Sequence, residues 1–229
     1  MALLFRDCLE NRQNKRRVLS AAELAHRLYD AGEKNAPSSP PLSCKAGCDF
    51  CCHAFVSVLA PEALLLAERL KAAKTPVEGS IDAFKARAVA LRGLDQRARL
   101  SGRRVSCPIL DRHLCSLHAD RPLSCRKHSS FAVEACAAAF EGEEGPIPSH
   151  AGYHTIGTTV SVTFRGALKS LGYGTALYEL SEAVSTILDT QDALRRWTAG
   201  EDILAGVQTD TTTPAHLTST IEGLARAIS

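Results

Sequence analysis

Cysteine spacing constrains this chain more than any other feature of its sequence. The protein has 229 residues and nine cysteines. One cluster follows the pattern C-x3-C-x2-C-C and consists of Cys44, Cys48, Cys51 and Cys52. A second, looser cluster consists of Cys107, Cys115 and Cys125. Short spacings bring thiolates within the few ångströms that a metal ion or an iron–sulfur cluster requires, so the pattern predicts a metal site.

The adjacent pair Cys51–Cys52 bears on how many metals are bound. Neighbouring sulfurs do not easily reach one ion without strain, so either one of them is not a ligand or the two serve different metals. Cys136 raises the number of thiols in the two clusters to eight, enough for two four-thiolate sites; with seven, one site needs another ligand or has an open position. The predicted metal ligands are therefore Cys44, Cys48, Cys51, Cys52, Cys107, Cys115, Cys125 and Cys136. Cys8 stands alone in the sequence and is predicted to lie outside the site.

Charged and proline residues around the second cluster suit a thiolate-rich site. Pro122 is expected to open a short helix with Cys125 in its first turn, where thiolate is favoured. Arg121 and Arg126 are the candidate cofactor-binding residues, because they could offset the negative charge of the thiolates. Three histidines are weaker alternative ligands or hydrogen-bond donors to the site: His53, His113 and His118.

The remaining sequence excludes several classes of function. The apolar start of the chain is short and charges follow at once, unlike a secretory signal, and no stretch approaches the roughly 18 apolar residues of a membrane span. We therefore expect a cytoplasmic protein with no membrane contact, in which cysteines serve as ligands or reactive thiols rather than as disulfides. The net charge of +2, with basic residues spread along the chain, argues against a nucleic-acid partner. Glycine-rich phosphate loops, the G-x-S-x-G elbow and H-E-x-x-H are all missing from the sequence.

Hydrophobic periodicity predicts a mainly α protein, a single helical domain wrapped around a cysteine-rich metal site with irregular ligand loops. Helices are expected at about 20–35, from Pro61, from Ser80 to an end at Ser101-Gly102, at 132–140, at about 175–189 and at 217–228. A short extended stretch is expected at 54–60, and a strand at 158–164, where β-branched residues are dense. We divide the chain into an N-terminal helical segment with a Pro/Ser-rich loop (1–43), a cysteine-cluster metal-binding domain (44–140) and a C-terminal helical extension packed on it (150–229).

The two cysteine patterns, in this order, resemble the YkgJ-type cysteine-cluster family. The resemblance rests on Cys44-x3-Cys48-x2-Cys51-Cys52, then Cys107-Pro108, then the stretch from Cys115 through Arg121-Pro122 to Cys125-Arg126, and covers just over a third of the chain. Members of that family are described as zinc- or iron-chelating proteins, sometimes as iron–sulfur oxidoreductases, and flagellin lysine methylases carry a similar cluster. The resemblance implies a bound metal and supports the ligand set, but it supplies no reaction.

Three functions follow as hypotheses. The first is a cytoplasmic protein with an iron–sulfur centre and a redox or modification-accessory role, acting on a protein partner or a small-molecule substrate. The second is a structural zinc protein that serves as an interaction module or metallochaperone. The third is an S-adenosylmethionine-dependent protein methylase, for which the sequence offers no glycine-rich turn.

Overall fold

The computed structural model describes residues 1–73, 78–94, 98–99 and 104–229. Within these residues the protein is mainly α, as predicted, and its strands form only two short two-stranded sheets. The α-helices are α1 (Ala2–Glu10), α2 (Arg17–Lys34), α3 (Ala60–Ala72), α4 (Glu78–Leu91), α5 (Leu123–Arg126), α6 (Val133–Phe140), α7 (Ala151–Ser170), α8 (Leu180–Asp189), α9 (Ala193–Thr198) and α10 (Ala215–Ile228). The strands are β1 (Ser57–Leu59), β2 (Leu110–Asp111), β3 (Leu114–Cys115) and β4 (Leu177–Glu179). Two 3₁₀ turns, Phe50–His53 and His118–Asp120, lie among the cysteines.

Helix α7 is the central element of the fold, and it corrects the strand predicted at 158–164. It packs against α1, α2 and α10. Its buried face includes Val160 and Phe164, spaced one helical turn apart, and the Phe164 ring stacks on Phe5 of α1 at 4.6 Å between centroids. The strand prediction is wrong because a β-branched residue costs a helix only a few tenths of a kcal/mol, roughly, whereas burying such a side chain gains about 1.5–3 kcal/mol.

The N-terminal region is more regular than its charged sequence indicated. Residues 2–10 form α1, whose Phe5 and Leu9 are buried. Helix α2 begins at Arg17, ahead of the expected start at about residue 20.

Two strand–helix units pack against each other. Strand β1, within the predicted extended stretch, runs directly into α3, and β4 runs directly into α8. The strands pair antiparallel, with Ser57 opposite Glu179 and Leu59 opposite Leu177, and α3 packs on α8. The helix expected at 175–189 therefore begins only at Leu180, because the preceding three residues pair with β1.

Helix α4 bears the apolar residues that predicted it, since Phe84, Ala88 and Leu91 are buried. It starts at Glu78 and ends at Leu91. The expected end at Ser101-Gly102 lies outside the described residues.

One hydrophobic core holds these elements together. It takes buried residues from the N-terminal helices, from α3 and from the C-terminal helices, and it is bordered by the partly buried Cys8, Cys107, Cys115 and Cys125. The helices of the described ranges include none with the length and apolar character needed to cross a membrane.

Candidate metal centre

The first cysteine cluster lies on a loop that is tied to the segment leading into α6. The Ser43 backbone N–H donates to the Ser130 carbonyl at 2.9 Å, and the Ser130 N–H donates to the Cys44 sulfur at 3.2 Å. Gly47 has a φ of +87°, in the left-handed region that favours glycine, so the chain can turn between Cys44 and Cys48. These contacts fix the path of the loop around the first thiols.

Helix α6 brings Cys136 to the same cluster. Its last residue, Phe140, makes edge-on ring contacts with Phe50 at 5.5 Å and with His53 at 4.9 Å, both in the 3₁₀ turn that holds Cys51 and Cys52. The helix therefore packs directly against the turn, and Cys136 lies close enough to Cys44 for their charges to interact.

The second cluster joins the first through the backbone. The Cys107 N–H donates to the Cys52 carbonyl at 2.9 Å. Residues 110–115 then form a β-hairpin in which Cys115 pairs with Leu110. At the tip of the hairpin, His113 Nδ1 lies 3.0 Å from Asp49 Oδ2, beside the first cluster. The hairpin is thus held against the loop that carries Cys48 and Cys51.

Cys125 sits in the short helix α5, which Pro122 opens as predicted. A buried carboxylate holds the start of this helix: Glu62 accepts hydrogen bonds from the Leu123 N–H at 2.8 Å and from the Leu59 N–H at 3.1 Å. Glu62 thereby joins the start of α3 to the start of α5.

Electrostatic interactions link the predicted ligands in two overlapping sets of four thiols. In the first group, burial and then the charges of Cys44, Cys51 and Cys136 raise the pKa of Cys48. In the second, Cys52 interacts with Cys107 and Cys125, while burial and then Cys107, Cys51 and Cys115 raise the pKa of Cys125. The groups are Cys44, Cys48, Cys51 and Cys136 on one side, and Cys52, Cys107, Cys115 and Cys125 on the other.

Cys51 and Cys52 lie where the two groups meet. The interaction between these two neighbouring thiols lowers the pKa of Cys51 to about 7 and raises the pKa of Cys52. Cys51 also interacts with Cys115 and Cys125 of the second group. Sequence adjacency therefore places one sulfur in each group, side by side.

The two candidate cofactor-binding arginines occupy different places. The positive charge of the Arg121 guanidinium lowers the pKa of four thiols. At Cys51 it adds to the lowering already described. At Cys44, Cys115 and Cys125 it opposes the rise in pKa that burial causes. Arg126 is buried, and its guanidinium bonds to Asp30 and to the carbonyls of Ala119 and Arg121. Arg126 holds the turn before α5, whereas the positive charge of Arg121 acts on the thiols.

The alternative histidine ligands all have other contacts. His53 is buried, with Nδ1 3.3 Å from the Asp49 carbonyl. His118 Nε2 accepts from Arg121 at 2.8 Å, and burial, followed by that positive charge, lowers the pKa of His118. His113 pairs with Asp49 as described above. In this arrangement each histidine supports a neighbouring loop.

Comparison with known proteins identifies this region. Residues 43–143 match the family model of a "putative zinc- or iron-chelating domain" defined by a CxxCxxCC pattern. The match confirms the resemblance of this part of the chain to a cysteine-cluster family. A search of curated proteins found no match, and no solved structure matches the chain. All eight predicted ligands lie within the family domain, whereas α7 to α10 lie outside it.

The donor set of the family domain fits a thiophilic metal. All the predicted ligands are thiols. Burial is the main cause of a raised pKa at five of them, Cys44, Cys48, Cys107, Cys115 and Cys125. Because burial disfavours the charged form, their thiolates need a nearby cation. The Nε atom of Arg121 is buried without a hydrogen-bond partner among the described residues, which suits an arginine that faces anionic sulfur. In the described ranges no three Cys, His, Asp or Glu side chains already surround a common ion position. The ligand set thus stays a prediction, supported by chemistry and proximity.

Sequence reasoning missed two buried charged residues that hold the backbone beside the predicted ligands. Glu62 and Arg87 are almost fully buried, yet each bonds to backbone within two residues of a predicted ligand. Helical periodicity could not reveal them, since both sit in helices as ordinary charged positions. A charged residue on a predicted core face would have been the available signal.

Proposed function

We propose that the chain binds metal through two neighbouring groups of four thiols, and that the bound centre is an iron–sulfur centre with a redox or modification-accessory role in the cytoplasm. The observation that carries the proposal is that the two cysteine patterns meet in space. The Cys107 N–H donates to the Cys52 carbonyl at 2.9 Å, and α6, which carries Cys136, packs on the turn that holds Cys51 and Cys52. Four thiolates per group is the ligand number of a [4Fe–4S] cluster and also of a structural zinc ion.

The location of the thiols favours a centre that exchanges something with its surroundings. Cys44 and Cys51 are exposed, and the other six predicted ligands are partly exposed. An edge open to solvent suits electron exchange or contact with a substrate, and an iron–sulfur centre would supply the electrons.

A surface depression beside Cys115 is the place where a partner or substrate would lie. It is lined by Asp111, Arg112, Leu114, Cys115 and Ser116, so charged, apolar and thiol groups face it together. Arg112 and His113 both have positive φ, and they hold the tip of the hairpin in a tight turn beside this depression. We propose that a protein partner or a small molecule approaches the centre here.

Arg121 is the residue of this chain that would tune the centre. Its positive charge already acts on thiols of both groups, and a hydrogen bond from its free Nε would further stabilise thiolate sulfur. Arg126, through its bond to the Arg121 carbonyl at 2.8 Å, would fix the position of Arg121.

The test is anaerobic purification followed by analysis of iron, acid-labile sulfide and zinc, together with an absorption spectrum of the fresh protein. Iron and sulfide in equal amounts, with a broad visible absorption, support the proposal. Colourless protein with stoichiometric zinc and no sulfide would replace it with the structural zinc module or metallochaperone. Calorimetric binding of S-adenosylmethionine by the same preparation would instead favour the methylase.

A further inference from the structure

A cluster of buried charges lies behind the second group of thiols. Arg87, Arg99 and Glu179 are each at most 1% exposed, which is rare for charged residues. Both arginines donate to the same Glu179 Oε1, each at 3.1 Å. One carboxylate is thus the shared ion-pair partner of two guanidinium groups inside the protein.

Arg87 uses its remaining donors on the loops that carry cysteines. Its second guanidinium nitrogen donates to the Ala54 carbonyl at 3.0 Å, and its Nε donates to the Val105 carbonyl at 3.2 Å. Ala54 follows Cys52 by two residues, and Val105 precedes Cys107 by two. One buried side chain therefore bridges the two backbone segments that the Cys107–Cys52 hydrogen bond also joins.

Glu179 belongs to a different part of the chain from the cysteines. It ends strand β4, outside residues 43–143, and pairs with Ser57 of β1. Its other carboxylate oxygen caps α8 by accepting from the Glu182 N–H at 2.8 Å. The carboxylate is consequently fixed from both sides. Together with Ser181 Oγ, which accepts from the same Arg87 nitrogen at 2.7 Å, it holds one side of the Arg87 guanidinium.

Resting on the metal-binding function proposed above, we infer that Glu179, acting through Arg87, is a positioning residue for the thiols of Cys52 and Cys107. A buried arginine without its carboxylate is strongly unfavourable, so loss of Glu179 would drive Arg87 to seek water or other acceptors. The Ala54 and Val105 carbonyls would then lose their common donor. Through Arg87, the C-terminal part of the chain would thus help to set the geometry of the metal centre.

The test measures cysteine reactivity in metal-free protein, so it does not depend on which metal is bound. Rates of alkylation at each cysteine are followed by mass spectrometry in wild type and in Glu179→Gln. We expect faster alkylation of Cys52 and Cys107 in the variant, with Cys136 unchanged, because Arg87 makes none of its hydrogen bonds to α6. Equal acceleration at all three cysteines, or no change at any, would overturn the inference.

Glu182→Gln is the matched control. Glu182 is also a buried carboxylate in the first turn of α8, but it pairs with Arg92 and accepts from the Gln208 N–H at 2.7 Å, away from the cysteine loops. We expect it to leave the rates at Cys52 and Cys107 at wild-type values; acceleration equal to that in Glu179→Gln would overturn the inference.

Two further measurements keep the inference testable if Glu179→Gln does not fold. Arg87→Lys keeps the positive charge but lacks the guanidinium that reaches both carbonyls, and the same selective acceleration is expected. In protein that binds zinc, competition with a chromophoric chelator should show affinity about 10- to 100-fold weaker in the Glu179 or Arg87 variant than in Glu182→Gln. A wild type that binds no metal would overturn the proposed function while leaving the alkylation result to decide the positioning role.

Discussion

Replacing Glu62 by alanine tests how strongly a single buried carboxylate supports the start of two helices. Glu62 is 3% exposed and accepts from the Leu59 and Leu123 N–H groups at 3.1 and 2.8 Å. A hydrogen bond to a charged group contributes about 1.5–3 kcal/mol. Losing both bonds, with the two N–H groups left buried, should therefore lower the free energy of unfolding by about 3–5 kcal/mol.

Urea unfolding of metal-free protein, followed by circular dichroism, measures this loss. With an m value of about 2–3 kcal/mol/M, the midpoint should fall by about 1–2 M. Glu62→Gln should lie in between, because its single carbonyl oxygen can accept only part of what the carboxylate accepts. The control is Glu68→Ala on the same helix, whose partly exposed side chain pairs with Arg16 at 3.3 Å and should contribute less than about 1 kcal/mol. A loss in Glu62→Ala of under about 1 kcal/mol, or one no larger than in Glu68→Ala, would refute this role for Glu62.

Three further predictions concern the thiols and the helix packing. Cys51→Ser should remove metal from at least the first group of thiols, measured as a fall in metal content per chain, while Cys8→Ser, outside the cluster, should leave the content unchanged. Partial burial raises the pKa of several thiols in the metal-free protein above their ordinary 9.0, so the unfolded chain loses these protons first. The stability of the metal-free protein should therefore fall as pH rises above that value, and a pH series of urea midpoints that rises instead would contradict this. Gly166→Ala should destabilise the protein by about 1–3 kcal/mol, because the added Cβ would lie 2.9 Å from a Leu224 atom. Gly223→Ala, where the added Cβ meets open space on the facing helix, should instead stabilise it by about 0.5–1 kcal/mol. Thermal unfolding of both variants checks the two signs.

The candidate site could be predicted from sequence because its ligands are close together in the chain. The spacing of Cys44 to Cys52 places four thiols on one loop, and the adjacency of Cys51 and Cys52 already indicated two metals or one spare thiol. Cys136 entered only through the count of eight, yet its proximity to Cys44 follows from ring packing between α6 and the 3₁₀ turn. The sequence could not supply that packing, since it joins residues about ninety positions apart.

The buried charged residues behind the thiols are held by long-range contacts, which no local sequence pattern reveals. Arg87 lies on an amphipathic helix whose predicted face was read from Phe84, Ala88 and Leu91, and an arginine next to that face looks solvent-exposed in sequence. Its burial depends on Glu179, which arrives from a distant strand. The strand predicted at 158–164 failed for a related reason, because tertiary packing of α7 outweighs the weak local preference of β-branched residues.

Differential alkylation of the native, metal-loaded protein tests the central claim most directly. The protein is treated with a thiol reagent before and after metal removal, and each cysteine is quantified by mass spectrometry. If eight thiols in two groups bind metal, all eight should be protected until the metal is removed, and only Cys8 should react at the same rate in both states. Protection of four or fewer cysteines, or rapid reaction of Cys51 or Cys52 in the loaded protein, would contradict a centre built from two groups of four thiols.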